Sequence, residues 1–308
     1  MPAAHRPYAL PLLTAVLAAM AAALHWVGPP QTAPDFALSW VAARALASGA
    51  DPYVAALRVS YGYPLYYPMT AAVSVLPVAW LPLAAAHIAF AALSGLAYGA
   101  AARRLGPGVA VGALSACFMY ACSKGQWSPL LMAGAALPVL GSFWTAKPSI
   151  GLAWFVAYPN RKAVYGGTAI LLLSLILRPR WPLEWLHSLG SAVHIAPILR
   201  PGGWLLLLPL VRWRRPEARL LVALSLVPQL TLPYEALPVF MCARTKWEGY
   251  GLAILSWIVT LGAWWTFRGP GDRAEIAAAA EWPWLLWGLY VPAILMVLMP
   301  SRARPPSQ

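Results

Sequence analysis

The fold of this chain is decided by residues 8–27, which read YALPLLTAVLAAMAAALHWV. No charged residue interrupts this stretch, and about 20 apolar residues in a helix are enough to cross the hydrocarbon core of a bilayer. The residues that follow, Gly28-Pro29-Pro30, do not resemble the small-residue site at which a secretory signal is cleaved. The stretch therefore predicts a retained first membrane helix.

The rest of the chain has the same apolar character. Of its 308 residues, 61% are hydrophobic and 10% are charged, whereas about 25% of residues in soluble domains are charged. Such a chain has more apolar surface than a soluble core can bury, so lipid covers the remainder. We expect an all-α polytopic membrane protein, a single domain over residues 1–308 with about 8–10 spans, some of them short or broken.

The net charge of +13 is distributed in small basic groups at the ends of apolar runs. This is the pattern of cytoplasmic loops under the positive-inside rule, and no aromatic-interleaved basic stripe of a nucleic-acid-binding protein accompanies it. We therefore predict a multi-pass protein of the bacterial plasma membrane, with residues 28–68 as an external loop and no nucleic-acid partner. The basic groups are Arg103-Arg104, Arg161-Lys162, Arg212 with Arg214-Arg215, Arg244 with Lys246, and Arg302 with Arg304.

Between these groups the apolar runs predict the order of the spans. Residues 144–160 contain Lys147-Pro148 and predict a re-entrant or broken segment, which is tolerated where protein or a cavity surrounds it. Residues 69–80 predict a surface or half-inserted helix, and residues 178–200 a second external loop. The predicted spans are 8–27, 82–102, 108–123, 127–143, 163–177, 201–211, 218–232, 236–243, 249–267 and 282–299.

The external loop contains the acid whose position is most informative. Asp35 precedes a stretch, residues 36–46, whose apolar residues share one helical face, as in a helix at a membrane surface. As the N-cap of that helix, Asp35 would satisfy free backbone N–H groups. The Asp51-Pro52 turn and the tyrosines across residues 53–67 follow. The tyrosines fit an interfacial aromatic belt and a sugar-binding surface equally well.

The sequence contains no recognisable metal-binding motif. Cys117, Cys122 and Cys242 lie in apolar runs without CxxC spacing, so we expect small core residues rather than a disulfide frame or a zinc site. There is no HExxH and no His pair at helical spacing. We expect no metal and no cofactor.

The order of motifs resembles a known family. After the first helix come Asp35-Phe36-x-x-x-Trp40-x-Ala42-Ala43-Arg44-Ala45-Leu46, then Gly49-Ala50-Asp51-Pro52-Tyr53, then Tyr67-Pro68 and an apolar helix, with Gly125-Gln126 and Lys147-Pro148 later. This order is similar to the polyprenyl-phosphate-sugar-dependent glycosyltransferases of the GT-C superfamily, especially glycosyltransferase family 87, with its mannosyltransferase and arabinofuranosyltransferase relatives. The resemblance covers about residues 8–170 and is thin afterwards, where residues 228–238 are only loosely similar.

The resemblance implies a GT-C-like helix bundle and an enzyme. Such an enzyme moves mannose or a similar sugar from a polyprenyl-phosphate carrier to a glycolipid or glycan acceptor on the extracytoplasmic face, with inversion. Asp35 occupies the family's catalytic position and would act as general base. Cations that could meet the leaving phosphate are Lys147, Lys124, Arg178 and Arg180, together with Arg200. Possible acceptor or sugar contacts are Asp51, Tyr53, Tyr67, Gln126 and His194.

Two other function classes stay open at this point. A lipid or solute transporter or flippase would also have broken helices and buried charge, although we find no internal repeat and no proton relay. A non-catalytic, degenerate relative is the third reading. Exchange of Asp35 for Asn separates them, because Asn caps a helix about as well as Asp but accepts no proton.

Overall fold

The computed structural model describes residues 8–27, 33–59, 64–190, 194–266 and 281–300. Within these ranges the regular structure is helical, apart from an isolated β-bridge between Ile195 and Gln229. The all-α prediction is therefore confirmed for the described part of the chain.

The α-helices, in chain order, are α1 (Ala9–Leu24), α2 (Phe36–Ala47), α3 (Pro52–Val59), α4 (Met69–Ala79), α5 (Leu83–Leu105), α6 (Pro107–Val111), α7 (Ala116–Lys124), α8 (Ser128–Ala133), α9 (Pro148–Ala157), α10 (Arg161–Leu177), α11 (Trp181–Leu189), α12 (Pro216–Leu226), α13 (Lys246–Thr266) and α14 (Glu281–Leu298). Helix α14 includes a π-helical turn at Leu286–Tyr290. Short 3₁₀ segments connect the helices at Gly112–Leu114, Pro138–Ala146, Pro197–Leu199, Gly203–Arg212 and Pro233–Cys242.

Many large apolar side chains are exposed on the exterior of the bundle, and several polar side chains are buried inside it. Ile176, Val211 and Trp264 are 76%, 76% and 68% exposed, whereas Gln126 and Glu235 are 3% and 2% exposed. A soluble protein keeps large apolar patches off its surface and rarely buries a carboxylate. The distribution is the one expected for a helical membrane protein, whose exterior faces lipid.

Fewer helices than predicted have the length to cross a bilayer. Two of them, α5 and α14, are long and apolar enough, and α10 with α11 adds a third if this pair, bent by 98°, is one span. The first predicted span forms α1, which has 16 residues and is shorter than the roughly 20 that a full crossing needs.

Two predicted spans are divided in the structure, for identifiable local reasons. Residues 108–123 break before α7, because the Ser115 hydroxyl accepts the N–H of Phe118 at 3.1 Å and so starts a new helix. Residues 127–143 divide into α8 and a 3₁₀ segment that begins at Pro138, where a proline cannot continue the helical hydrogen bonds.

Other differences concern elements near the site. The predicted break at Lys147-Pro148 is present, since the chain leaves a 3₁₀ segment at Ala146 and starts α9 at Pro148. The helix predicted over residues 69–80 is α4, and most of its side chains are buried by protein. The predicted loop 178–200 contains α11, because Trp185 Nε1 and Ser188 Oγ donate to the Tyr66 and Leu65 carbonyls at 2.9 Å and hold a helix there.

Helix α1 packs closely against α5. Gly95 and Gly99 lie four residues apart on α5, and a Cβ at either would collide with Thr14 of α1. Small residues at this spacing let two membrane helices approach closely. Helix α1 is thereby held close against α5.

Candidate active site

Asp35 begins α2, but its carboxylate does not cap the helix. The residue has helical φ and ψ of −57° and −27°, and its side chain makes no capping hydrogen bond. Instead Oδ2 accepts a short hydrogen bond from Nε2 of Gln126, 91 residues later in the chain. The N-cap interpretation of the Asp35 side chain is therefore wrong, and its carboxylate belongs to a tertiary polar cluster.

Gln126 is the centre of this cluster. It is 3% exposed and follows Gly125, whose left-handed φ of 64° ends α7 and turns the chain toward Asp35. Its Oε1 accepts from the Tyr67 hydroxyl at 3.3 Å and from Lys147 Nζ at 3.4 Å. Because Nε2 donates and Oε1 accepts in this arrangement, one buried amide links an acid, a phenol and a cation.

Lys147 is held in place by a second acid, Glu235. Its Nζ lies 2.8 Å from Glu235 Oε1, with 14% and 1% of the two side chains exposed, and 5.3 Å from the centroid of the Tyr234 ring. The other oxygen, Oε2, accepts the N–H of Thr231 at 2.9 Å. Thr231 has a φ of 58°, a conformation that costs energy in a β-branched residue and that occurs preferentially at functional sites.

Glu235 is not among the residues that the sequence predicts for the site. The resemblance is weak over this part of the chain, and the partner of Glu235 lies 88 residues away in sequence. One signal was nevertheless present. An isolated acid between Pro233 and Cys242, in an otherwise apolar run, is costly to bury unless a cation accompanies it.

The electrostatic setting makes Asp35 a stronger base than an exposed carboxylate. Burial raises the pKa of Asp35, and the hydrogen bond from Gln126 and the positive charges of Lys124 and Lys147 oppose this rise only in part. Protein surrounds the group, although the residue itself remains partly accessible to solvent. Burial also raises the pKa of Tyr67, so its hydroxyl stays protonated and donates to Gln126.

Three further cationic or titratable residues lie around the cluster. Lys124 is partly buried at the end of α7, close enough for its charge to act on Asp35. The His194 ring packs edge-on against Tyr66 with centroids 5.8 Å apart, and burial lowers its pKa. Arg200 is within electrostatic range of Glu235, and its buried Nε has no acceptor among the described residues.

Four of the predicted residues lie outside this cluster. Arg178 pairs with Asp51 Oδ2 at 2.6 Å and with Glu184 Oε2 at 2.6 Å, and its guanidinium lies 6.0 Å from the Tyr53 ring centroid. Arg180 is exposed and has no polar partner in the described part of the chain. Within that part, no hydrogen bond or ion pair joins Arg178, Arg180, Asp51 or Tyr53 to Asp35, Gln126 or Lys147.

A buried histidine, His87, contacts both the segment that carries Asp35 and the segment that carries Gln126. His87 of α5 accepts from Trp26 Nε1 at 3.1 Å through Nδ1, and its Nε2 lies 3.0 Å from the Cys122 carbonyl, to which it donates. The ring stacks on Phe36, the neighbour of Asp35, with centroids 5.8 Å apart. Gly125 turns directly against Phe36 and His87, and a Cβ there would collide with both.

The cluster therefore combines a carboxylate of raised pKa with a fixed cation, the Tyr67 hydroxyl and the Gln126 amide. Such a set can accept a proton from a substrate hydroxyl and stabilise a developing negative charge next to it. Among the described residues no group of three or more His, Cys, Asp or Glu side chains could hold a metal ion. Comparisons of the chain with protein-family models, with curated proteins and with solved structures return no match.

Proposed function

We propose that this protein is an integral membrane glycosyltransferase that moves a sugar from a polyprenyl-phosphate carrier to a glycolipid or glycan acceptor. The observation that carries the proposal is the orientation of Asp35. Its carboxylate makes no hydrogen bond to the free N–H groups at the start of its own helix and lies in a polar cluster with Gln126 and Lys147. A carboxylate buried at such cost, without a structural task at the helix end, supports a chemical role.

In this reaction Asp35 is the general base. It accepts the proton of the acceptor hydroxyl as that oxygen attacks the anomeric carbon of the donor. The bond from the anomeric carbon to the phosphate oxygen breaks, and the polyprenyl phosphate leaves with the bonding electrons. Attack from the face opposite the leaving group inverts the anomeric centre, so a single carboxylate suffices.

Lys147 is the group best placed to meet the leaving phosphate. Glu235 and the Tyr234 ring fix its ammonium, and Gln126 ties it to the general base. Lys124 adds a second positive charge near Asp35. Tyr67 and His194 offer a phenol and an imidazole to the sugar or the acceptor. The pairing of Arg178 with two acids leaves that residue and its neighbour Arg180 with less support as donor contacts.

We place the enzyme in the bacterial plasma membrane as a polytopic protein, with Asp35 on the extracytoplasmic face. The apolar exterior and the candidate spans support a membrane location, and the basic groups at the ends of apolar runs support the orientation. Single cysteines at Ser48 and Ser301, in a cysteine-free background, test it. An impermeant thiol reagent should label the first and miss the second in intact cells, and the reverse pattern would contradict the orientation.

One observation favours a transporter as the second candidate. The Lys147–Glu235 pair is buried in a bundle of short helices, as are the ion-coupled charges of many transporters. The direct test is transfer of radiolabelled sugar from a panel of polyprenyl-phosphate sugars to lipid-extractable product in membranes that contain the protein. Product that depends on Asp35 supports the transferase. Movement of the labelled donor across those membranes without formation of product supports the transporter.

A further inference from the structure

A second concentration of charge lies away from the candidate active site. Residues 210–215 curve around an open depression whose lining includes Arg212, Arg214 and Arg215 together with Trp213. A neighbouring depression is lined by Arg215 and Arg244, with Glu217. We refer to the first, lined by residues 210–215, as the arginine depression.

Backbone carbonyls at the end of α14 fix several of these arginines. Arg215 NH1 donates to the Val297 carbonyl at 2.7 Å, and Arg212 NH2 to the Leu298 carbonyl at 3.4 Å. Arg244 donates to Met299 O at 3.2 Å. The last carbonyls of a helix lack intrahelical partners and carry partial negative charge, so they attract cations. The guanidinium groups are thereby held in fixed positions.

Donors remain for a ligand after these bonds are made. A guanidinium has five N–H donors, and the single long bond of Arg212 occupies one of them. Arg214 is exposed, and its guanidinium has no acceptor among the described residues. Of the acids nearby, Glu248 accepts the N–H groups of Arg244 and Thr245 through Oε2, and Glu217 lines the neighbouring depression rather than this one. The depression is therefore strongly cationic, and N–H donors of Arg212 and Arg214 remain available to a ligand.

The surroundings indicate where the ligand comes from. The same 3₁₀ segment that ends in Arg212 exposes a continuous apolar side, with Trp204 at 62%, Leu210 at 46% and Val211 at 76% exposure. Trp213, at the depression itself, is 45% exposed. A lipid-facing apolar surface that ends in tryptophan and arginine is the arrangement found at the level of phospholipid headgroups.

The depression is also distinct from the candidate active site. Helix α9 starts beside Lys147, and the carbonyls at its other end, Val156 and Ala157, accept from Arg219 at 3.2 and 2.8 Å. Ten helical residues separate the two ends by about 15 Å. Helix α12 likewise leads from Pro216, beside the arginines, toward Thr231 and Glu235.

We propose that the arginine depression binds the phosphate of an anionic phospholipid headgroup from the surrounding bilayer. Arg212 and Arg214 contact the phosphate, Arg215 supports them from the end of α14, and the acyl chains lie along the apolar side of residues 204–211. The bound lipid seals the junction between the Gly203–Arg212 segment and α14. This proposal does not depend on the transferase reaction.

Native mass spectrometry of the detergent-purified full chain tests it, with phosphatidylglycerol and phosphatidylcholine of identical acyl chains titrated separately. Phosphatidylglycerol should bind more tightly. The Arg212→Gln/Arg214→Gln variant should lose about 30-fold in phosphatidylglycerol affinity, because two arginine charges are removed. It should keep most of its phosphatidylcholine affinity, because the choline cation cancels the phosphate charge. A cooperative thermal unfolding transition of the variant in the same detergent shows that it is folded. The matched control is Arg161→Gln/Lys162→Gln, which removes two exposed charges outside the depression.

Three results would overturn the proposal. Equal affinity of the unaltered protein for the two lipids removes the headgroup selectivity. A loss in the control variant as large as that in the Arg212→Gln/Arg214→Gln variant assigns binding to overall charge. Complete displacement of phosphatidylglycerol by millimolar inorganic phosphate assigns the depression to a free phosphate rather than to a lipid.

Discussion

Two acids begin neighbouring helices of the same predicted loop, and the structure uses them in opposite ways. Asp51 caps α3, with Oδ1 accepting the N–H groups of Tyr53 and Val54 at 2.8 and 3.1 Å, and its other oxygen pairs with Arg178 at an accessible position. Asp35 begins α2 without capping it, and its carboxylate lies buried against Gln126. Both acids stand at the start of a helix. Only the partners of each carboxylate distinguish the acid that caps its helix from the acid that belongs to the candidate site.

Their ionisation differs accordingly. Burial raises the pKa of Asp35. Partial burial alone would raise the pKa of Asp51, but hydrogen bonds from Val54, Arg178 and Tyr53 outweigh it, and the pKa lies below its usual value. Compared with an exposed carboxylate, the folded state therefore shifts Asp35 toward the protonated form and Asp51 toward the ionised form. The same Asp-to-Asn exchange should then act on function at one site and on stability at the other.

The largest effect is expected at Asp35. Asp35→Asn removes the proton acceptor, so transfer should fall by about 10²–10⁴, while expression and donor binding stay near normal. Stability should be unchanged or higher at neutral pH. Because the folded-state pKa is raised, stabilisation by the protonated acid is lost as pH rises through that pKa, and Asn removes this loss. Transfer assays and thermal unfolding of the same preparation check both parts, with Asp51→Asn as the matched control.

The pH dependence of the unaltered protein sharpens the same point. In the proposed reaction the ionised form of Asp35 accepts the proton, so the transfer rate should decline as pH falls through the raised pKa of that carboxyl. The acid limb should therefore lie above 3.8, the value of an unperturbed Asp. An Asn variant with near-normal transfer, or an acid limb that persists in that variant, would contradict the role of Asp35.

The next largest effect concerns the buried ion pair. Lys147→Ala leaves the Glu235 carboxylate 1% exposed and without its cation, which should lower stability by about 3–5 kcal/mol. Lys147→Ala should also raise the donor KM of the proposed reaction. Lys147→Arg should restore that KM only in part, since the planar guanidinium of Arg replaces the compact ammonium of Lys.

The double variant Lys147→Met/Glu235→Leu separates these two roles. It removes both charges and should regain most of the stability without regaining transfer. An unchanged donor KM in Lys147→Ala would leave the pair as a purely structural contact.

A smaller effect is expected at the turn that aligns the two halves of the cluster. Gly125→Ala places a methyl group against Phe36 and His87 at a φ of 64°. The left-handed conformation alone costs an Ala residue about 1–2 kcal/mol, and relief of the contact should move Gln126 away from Asp35. We expect transfer to fall by more than the decrease in folded protein alone would explain. Gly49→Ala is the control, because Gly49 has a φ of 72° but no atom near a new Cβ.

The smallest effect is expected at Asp51. Asn caps a helix about as well as Asp, so Asp51→Asn removes only the accessible pair with Arg178, worth about 0–1 kcal/mol. The contribution is present above the unfolded-state pKa and is lost as pH falls through the lowered folded-state pKa. The difference in melting temperature between variant and unaltered protein should therefore shrink in acid. A transfer defect as large as that of Asp35→Asn would erase the distinction between the two acids.

The resemblance names Asp35, Tyr67, Gln126 and Lys147 of the candidate site but not Glu235. For Lys147 there is also a physical reason, since a charge in a broken membrane segment needs a partner. The identity of those partners depends on long-range contacts, 91 residues apart for Asp35 and Gln126 and 88 for Lys147 and Glu235. No local pattern encodes them, which is also why Arg178 is predicted for the donor site although it pairs with Asp51 and Glu184.

The fold shows the same limit. Apolar composition predicts helices and lipid exposure, but span lengths depend on single capping and breaking residues. Ser115 starts a helix inside a predicted span, and Pro138 starts a tighter segment inside another. In both places apolar residues continue across the break, so hydropathy alone does not reveal it.

The pairing of Lys147 with Glu235 also has a consequence for biosynthesis. The ribosome adds about 5–20 residues per second, so the 88 residues between the two side chains take roughly 4–18 s to synthesise. During that interval the carboxylate that pairs with Lys147 has not yet been made. The buried ion pair therefore forms only after synthesis of the Pro233–Cys242 segment.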